Sequence, residues 1–252
     1  MKEKVVFYAE AEDPEMIKAF YRAQETFPYF WRELHWEYRR IVPALDLACV
    51  KVAFMQEVPD RATPVVEHMW VNDVEFDGDH ISGVLINDPN ELTNVKNGDP
   101  VKVPIDQVSD WLFSTRGNTY GGFTIQQLRS TMSEEERNEH DDAWGLDFGD
   151  YNDILLAYQQ KEHPENLIEH PMSVNMDESF IEFLKEYPLE ITNRDAAGYT
   201  LLHKEAIAGN RGSVATLLKF GADKSIQTNS GKTALDFVRQ LGWKHIVPVL
   251  EG

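Results

Sequence analysis

The first readable pattern is at Asp13-Pro14-Glu15, where an acidic cap and a proline in the first turn predict a helix start. Met16, Ile17, Phe20 and Tyr21 then fall on one helical face. Pro28 is expected to break or restart that helix, because it lacks an N–H and crowds the preceding turn. Beyond it Phe30, Leu34, Tyr38 and Ile41-Val42 keep helical spacing up to Pro43, while residues 5–8 upstream read as a short strand. The period then shortens to two. Residues 50–55 and 65–71 are rich in β-branched side chains, Asp77-Gly78-Asp79 is a turn, and 80–86 is its return strand. Asn97-Gly98-Asp99 turns the chain into Val101-Lys102-Val103, and 105–113 carries Trp111 on a short helix or strand. Residues 117–122 read as a glycine-rich loop, and Phe123-Thr124 opens a helix that runs through Leu128. Strands grouped together with helices around them predict an α+β domain with an antiparallel sheet, rather than alternating βαβ units.

The last third repeats itself. Gly198, Thr200, Leu202, Gly209, Val214 and Leu217 return 33 residues later as Gly231, Thr233, Leu235, Gly242, Val247 and Leu250. A period of this size marks stacked units that cannot bury their apolar faces alone. Each unit is expected to hold a turn at Asp195-Ala196-Ala197-Gly198, a capping Thr200 and a first helix stopped by Gly209-Asn210. A second helix then ends at Gly221-Ala222-Asp223. Ile181 and Leu184 lie 33 residues before Val214 and Leu217, so Phe180 to Tyr187 reads as the second helix of a truncated opening unit. About three units are normally needed for independent stability, so this tail is expected to lean on other residues or on another molecule.

Thr200-Leu201-Leu202-His203, with Leu201 in place of proline, and the closing Gly221-Ala222-Asp223 resemble the ankyrin repeat. The second copy, Thr233-Ala234-Leu235-Asp236, lacks both the proline and the histidine. His203 is expected to bond neighbouring backbone and order its turn. The resemblance implies an all-α stack with one partial and two full repeats at 177–252, whose hairpin tips and first-helix face meet a protein partner. Those positions are Ala197, Tyr199, Lys204, Gln227, Asn229 and Lys232. The body has a resemblance too. Ala23-Gln24-Glu25-Thr26-Phe27, Lys51-Val52-Ala53-Phe54, Glu67-His68-Met69-Trp70-Val71, Gly83, Asn87-Asp88-Pro89, Gly98-Asp99, Asp110-Trp111 and Gly121-Gly122-Phe123-Thr124 are similar to the YegJ-like bacterial family, a domain of unknown function. That match runs from about residue 15 to 130 and implies a fold but no catalytic role. The expected organisation is a YegJ-like α+β domain at 1–150, an acidic helical linker at 151–176 and the repeats at 177–252.

Composition narrows the function. The net charge of −19 makes nucleic acid a poor partner, since phosphate binding needs clustered cations; the one dense basic spot is Arg39-Arg40 with Arg32 nearby. The acidic excess fits solubility first and a basic partner second. No apolar run reaches the roughly 18 residues that a membrane span requires, and no secretory signal is visible, so a cytoplasmic protein is expected. The single Cys49 sits in an apolar stretch and reads as an ordinary buried thiol.

Catalytic chemistry finds little support. Glu67 and His68 on a strand would point to opposite faces and could not act on one atom. The 117–122 stretch lacks the Lys-Ser/Thr of a phosphate loop, although the helix entry at Thr124 is the best small-anion position in the chain. Ser133-Glu134-Glu135-Glu136 reads as a capping box, and His140-Asp141-Asp142 with Asp147 and Asp150 reads as a solvated acidic linker rather than a metal loop. His163, Glu169 and His170 match no zinc spacing, and no nucleophile elbow is present. No catalytic residue, metal or cofactor is therefore expected. The leading reading is a non-enzymatic protein-binding module, with an immunity protein that neutralises a basic bacterial toxin as one concrete form. The alternative is a small-ligand or enzymatic α+β domain with the repeats as a docking arm, built on His68, Asp110 and Thr124.

Overall fold

A computed structural model describes residues 13–59 and 61–252. The strand expected at 5–8 lies outside the described residues. The described residues divide into two compact units: the first takes those up to 30 and those from 40 to 156, the second residues 31–39 and 157–252. The expected linker at 151–176 is thereby shared, with 157–176 counted in the second unit.

Helix α1 spans Pro14–Glu37 without interruption. Asp13 caps it through Oδ1, which accepts the Glu15 N–H at 2.9 Å. Pro28 does not break it, contrary to the sequence expectation. The cost of an interior proline, about 3 kcal/mol, is outweighed by burial on both sides, since Phe27 and Phe30 are wholly buried in the first unit. Phe27 meets the Phe76 ring edge-on at 5.1 Å and Phe30 lies 5.9 Å from Trp111.

The first unit holds a six-stranded antiparallel sheet in the order β4-β3-β2-β1-β5-β6. Its strands are β1 (Leu47–Gln56), β2 (Val65–Phe76), β3 (His80–Leu85), β4 (Pro100–Pro104), β5 (Val108–Thr115) and β6 (Asn118–Gly121). The glycine-rich stretch expected as a loop contains β6. Arg116 and Gly117 turn with positive φ, and Tyr120 stacks on Phe113 at 4.5 Å across the pair. Gly121 is required here, because a Cβ would lie 2.3 Å from the Trp111 carbonyl oxygen. Gln24 donates to the carbonyls of Asp106 and Val108, both at 2.9 Å, and the Trp111 indole N–H reaches Ala23 O and Thr26 Oγ1, both at 3.1 Å.

Helix α2 (Phe123–Ser130) packs through Ile125 on Cys49, Leu112 and Phe148. Burial pushes the Cys49 thiol up, as does the nearby Asp110 charge. Helix α3 (Glu134–Trp144) begins at the expected capping box, with Ser133 N–H donating to Glu136 at 2.7 Å. Its acidic cluster is not simply solvated: Asp141 takes Arg129 at 3.0 and 2.7 Å. Among the described residues no group of three or more His, Cys, Asp or Glu side chains is arranged to hold a metal ion, and no described helix is long and apolar enough to cross a membrane.

The second unit is helical. It contains α4 (Pro171–Asn175), α5 (Asp177–Glu186), α6 (Leu201–Ile207), α7 (Arg211–Lys219), α8 (Ala234–Gln240) and α9 (Val247–Glu251). Leu184, Leu217 and Leu250, at equivalent positions of the 33-residue period, are all buried. The starts of α6 and α8 show how the period survives substitution. Thr200 N–H donates to His203 Nδ1 at 3.1 Å, while Thr233 N–H donates to Asp236 at 2.8 Å. Asp236 thus performs the capping role of the histidine it replaces. His203 Nε2 lies 3.1 Å from Ile226 O, so both of its nitrogens are used.

Residues 31–39, the last turns of α1, complete this unit. Arg32 is 1% exposed and donates to the carbonyls of Asn166, Leu167 and Ile168. Glu33 meets His170 Nε2 at 3.0 Å, and Trp36 Nε1 donates to Asn210 Oδ1 at 2.9 Å. Asn210 in turn donates to the buried Glu205 carboxylate at 2.8 Å, which also receives Arg39. Burial alone would push the Glu205 carboxyl up, but His35 and Arg39 outweigh it and hold it well below the usual carboxylate range. Two of the three arginines of the only dense basic spot are thus consumed inside the unit.

Candidate functional site

The register of the sheet gathers one set of polar side chains. Lys51 on β1 lies opposite Trp70 on β2 and Asp110 on β5, and Ala53 lies opposite His68. Side chains alternate along a strand, so His68, Trp70, Lys51 and Asp110 share a face. Glu67 takes the other role its neighbour position allows. Its carboxylate accepts the backbone N–H groups of Asn90, Glu91 and Leu92 at 2.8, 2.6 and 2.9 Å and folds that loop. Burial pushes Glu67 up, but those N–H bonds prevail and hold it below its ordinary range. Asn87 Oδ1 accepts the Trp70 N–H at 2.6 Å, which ties the same loop to β2.

A cavity of about 310 Å³ opens beside this loop, lined by Phe20, Lys51, His68 and Asn87 together with neighbouring residues of β2 and the loop. The His68 ring stacks on Phe20 at 5.0 Å, and both of its ring nitrogens are buried with no hydrogen-bond partner among the described residues. Burial, then the charge of Lys51, push the imidazole down to about 4, so it is neutral at physiological pH. Lys51 Nζ lies 3.5 Å from Thr124 Oγ1 and 5.7 Å from the centre of the Trp70 ring. Among the described residues its ammonium therefore has a single, long hydrogen bond for three donors.

Asp110 and Thr124 stand together behind Lys51. The wholly buried Asp110 accepts the N–H of Trp111 at 2.8 Å, of Phe123 at 2.9 Å and of Thr124 at 2.8 Å, and the Thr124 hydroxyl at 2.6 Å. Burial pushes the Asp110 carboxyl up, against the pull of the Thr124 bonds and the Lys51 charge. The helix entry that looked open to a small anion is filled by this internal carboxylate, so Asp110 and Thr124 serve the fold there. Lys51 carried no sequence signal of its own. Only the strand register could have singled it out, by placing it between Asp110 and the strand that carries His68.

The six repeat positions form a second candidate site. Asn229 N–H donates to Ala197 O at 2.9 Å, Asn229 Nδ2 donates to Ala196 O at 3.0 Å, and Arg194 donates to Gln227 O at 2.6 Å. These bonds tie the turn before α6 to the turn before α8. Tyr199 stacks on Phe237 at 5.7 Å, and Lys232 Nζ donates to Gln240 Oε1 at 2.7 Å. Lys204 pairs with Asp195 at 3.0 Å on the exposed side.

Comparison with known proteins finds relatives of this chain in bacteria. The chain is 51% identical over 251 residues to a protein of Neisseria meningitidis serogroup B (strain ATCC BAA-335 / MC58) whose name assigns it ankyrin repeats, covering all of this chain and 98% of that protein. It is 38% identical over 73 residues to the uncharacterized protein YegJ of Escherichia coli (strain K12), covering 29% of this chain and 48% of that protein. Residues 13–148, more than half of the chain, match the family described as uncharacterized protein conserved in bacteria, DUF2314, and the chain belongs to that family.

Proposed function

We propose that this protein is a protein-binding module whose second unit is a short ankyrin-repeat stack, and that Ala197, Tyr199, Lys204, Gln227, Asn229 and Lys232 form the contact row. The observation that carries the reading is the hydrogen bonding between hairpins one period apart, Asn229 to Ala196 and Arg194 to Gln227. Such bonds fix side chains of successive repeats at a constant spacing, which suits a rigid recognition surface. The name of the Neisseria relative supports the same assignment. The net charge of −19 favours a basic partner drawn in by the long-range field, and a basic bacterial toxin held by an immunity protein is the concrete form of this reading. Within the row, Tyr199 is committed to stacking on Phe237. Lys204 and Gln227 carry exposed side chains and are the better probes.

The test places a photo-crosslinking residue at Lys204 or Gln227, and at Lys102 on β4 as a control, in cells that make the protein naturally. One adduct of defined mass, formed from positions 204 and 227 but not from 102, is expected. Equal labelling from all three positions, or none, contradicts the proposal.

A further inference from the structure

Two independent defects meet in the cavity of the first unit. His68 is half-buried, with both ring nitrogens buried and unbonded among the described residues, and there the Lys51 ammonium has one hydrogen bond, at 3.5 Å. An unpaired buried polar group costs on the order of 1–3 kcal/mol. His203 in the second unit shows the ordinary solution, with one nitrogen on Thr200 and the other on Ile226 O. A folded chain tolerates the opposite arrangement where something else supplies the partner.

We propose that the cavity lined by His68 and Lys51 binds a small oxyanion, a carboxylate- or phosphate-bearing molecule, with the Lys51 ammonium and a His68 ring N–H as its donors. The volume of about 310 Å³ is room for roughly ten waters at about 30 Å³ each, enough for a compact metabolite. The Phe20 ring, stacked on His68, gives the site an apolar wall. A metal cation fits poorly, because the Lys51 charge opposes it and only one histidine lines the cavity. The other charged groups of the lining are Glu67 on β2 and Asp88 in the loop after β3. Glu67 is already engaged by three backbone N–H groups, and Asp88 is exposed, where water and salt screen it. Asp110 on β5 also acts on Lys51, but its oxygens are taken up by three backbone N–H groups and the Thr124 hydroxyl, and Phe20 on α1 is uncharged, so Lys51 is the cation that faces a ligand. The strong net negative charge of the chain weakens anion binding generally, so an affinity on the order of 1 mM is expected.

The experiment follows the His68 ring signals by NMR in the full chain, titrating inorganic phosphate in one arm, acetate in a second and chloride at matched ionic strength in a third. A saturable shift in the phosphate or acetate arm is expected, and whichever arm responds identifies the oxyanion. An anion beside the ring favours the imidazolium, so the pKa of His68 should rise by about one unit or more on saturation. Lys51→Gln should weaken binding about tenfold or more, and Lys51→Arg should retain it in part. Both variants are first matched to the parent by their amide spectra. If Lys51→Gln is unfolded, Lys51→Arg alone decides, through a changed affinity for the responding anion. The proposal is overturned if neither anion produces a saturable shift, if chloride reproduces it, or if the Lys51 variants bind unchanged.

Discussion

The sheet unit and the helical unit solve the problem of buried polar groups over different distances. In the sheet unit the wholly buried carboxylate of Asp110 finds its donors within fourteen residues, at Trp111, Phe123 and Thr124. In the helical unit the partners come from far along the chain. Trp36 bonds Asn210 across 174 residues, and Arg39 bonds Glu205 across 166. The helices of this unit are short, of ten residues or fewer, so contacts from distant residues help to hold them together. The sheet unit has an aromatic core, and among the described residues neither ring nitrogen of His68 has a hydrogen-bond partner, although the ring stacks on Phe20. Buried polar groups in the second unit tie distant segments together, whereas in the first Asp110 serves its own strand and the helix beside it.

Removing the local anchor should do the most damage. Asp110→Ala strands three buried N–H groups and a hydroxyl at once, and is expected to cost about 4 kcal/mol, seen as a lowered denaturation midpoint. A loss below about 1 kcal/mol would show that water replaces the carboxylate and that the anchor is dispensable.

The long-range anchor comes next. Glu205→Ala leaves Asn210 and Arg39 without their acceptor and should cost about 3 kcal/mol. Its pH signature has a definite sign. The folded carboxyl is held below its unfolded value, so its contribution is complete above about pH 4.3 and fades as pH falls towards the lower folded value. Acid denaturation curves of the parent and Glu205→Gln should therefore converge at low pH and separate near neutrality. Parallel curves would contradict the assignment.

A pair of equivalent glycines separates packing from backbone strain. Gly209 and Gly242 are one period apart and have φ of 76° and 74°. A Cβ on Gly209 would sit 2.4 Å from the Trp243 ring, whereas one on Gly242 meets nothing. Gly242→Ala should cost about 1 kcal/mol from backbone strain alone, and Gly209→Ala about 2–3 kcal/mol. Equal losses would mean that Trp243 moves aside. The smallest effect on stability is expected for Lys204→Glu with Gln227→Ala, within about 0.5 kcal/mol of the parent. That variant should nevertheless lose the crosslinked partner.

Short-range features were legible in the sequence because each has a local cause. Asp13 before Pro14, the Asp77-Gly78-Asp79 turn, the capping box at Ser133 and the 33-residue period can all be read in windows of a few residues. The continuity of α1 was not legible, because Pro28 argues locally for a break and only the burial of Phe27 and Phe30 overrides it. Strand β6 was hidden by its glycines, which are there because Trp111 leaves no room for a side chain at Gly121. Of the candidate ligand residues, His68 stood out by type, but the role of Lys51 depends on its register opposite Trp70 and Asp110. The use of Arg32 and Arg39 inside the second unit carries no sequence mark, since the same residues read as an exposed basic spot until their distant partners are known.

The central claim is that residues 31–39 are a structural part of the repeat unit, and expressing 157–252 alone tests it most directly. The fragment loses Arg32, Glu33, Trp36 and Arg39 together, which removes one partner each from His170, Glu205 and Asn210 and the donor to three backbone carbonyls near residue 167. It should show no cooperative unfolding transition, and adding residues 31–39 back through a flexible linker should restore one. A sharp transition in the fragment alone, at the midpoint this unit shows in the full chain, would contradict the account.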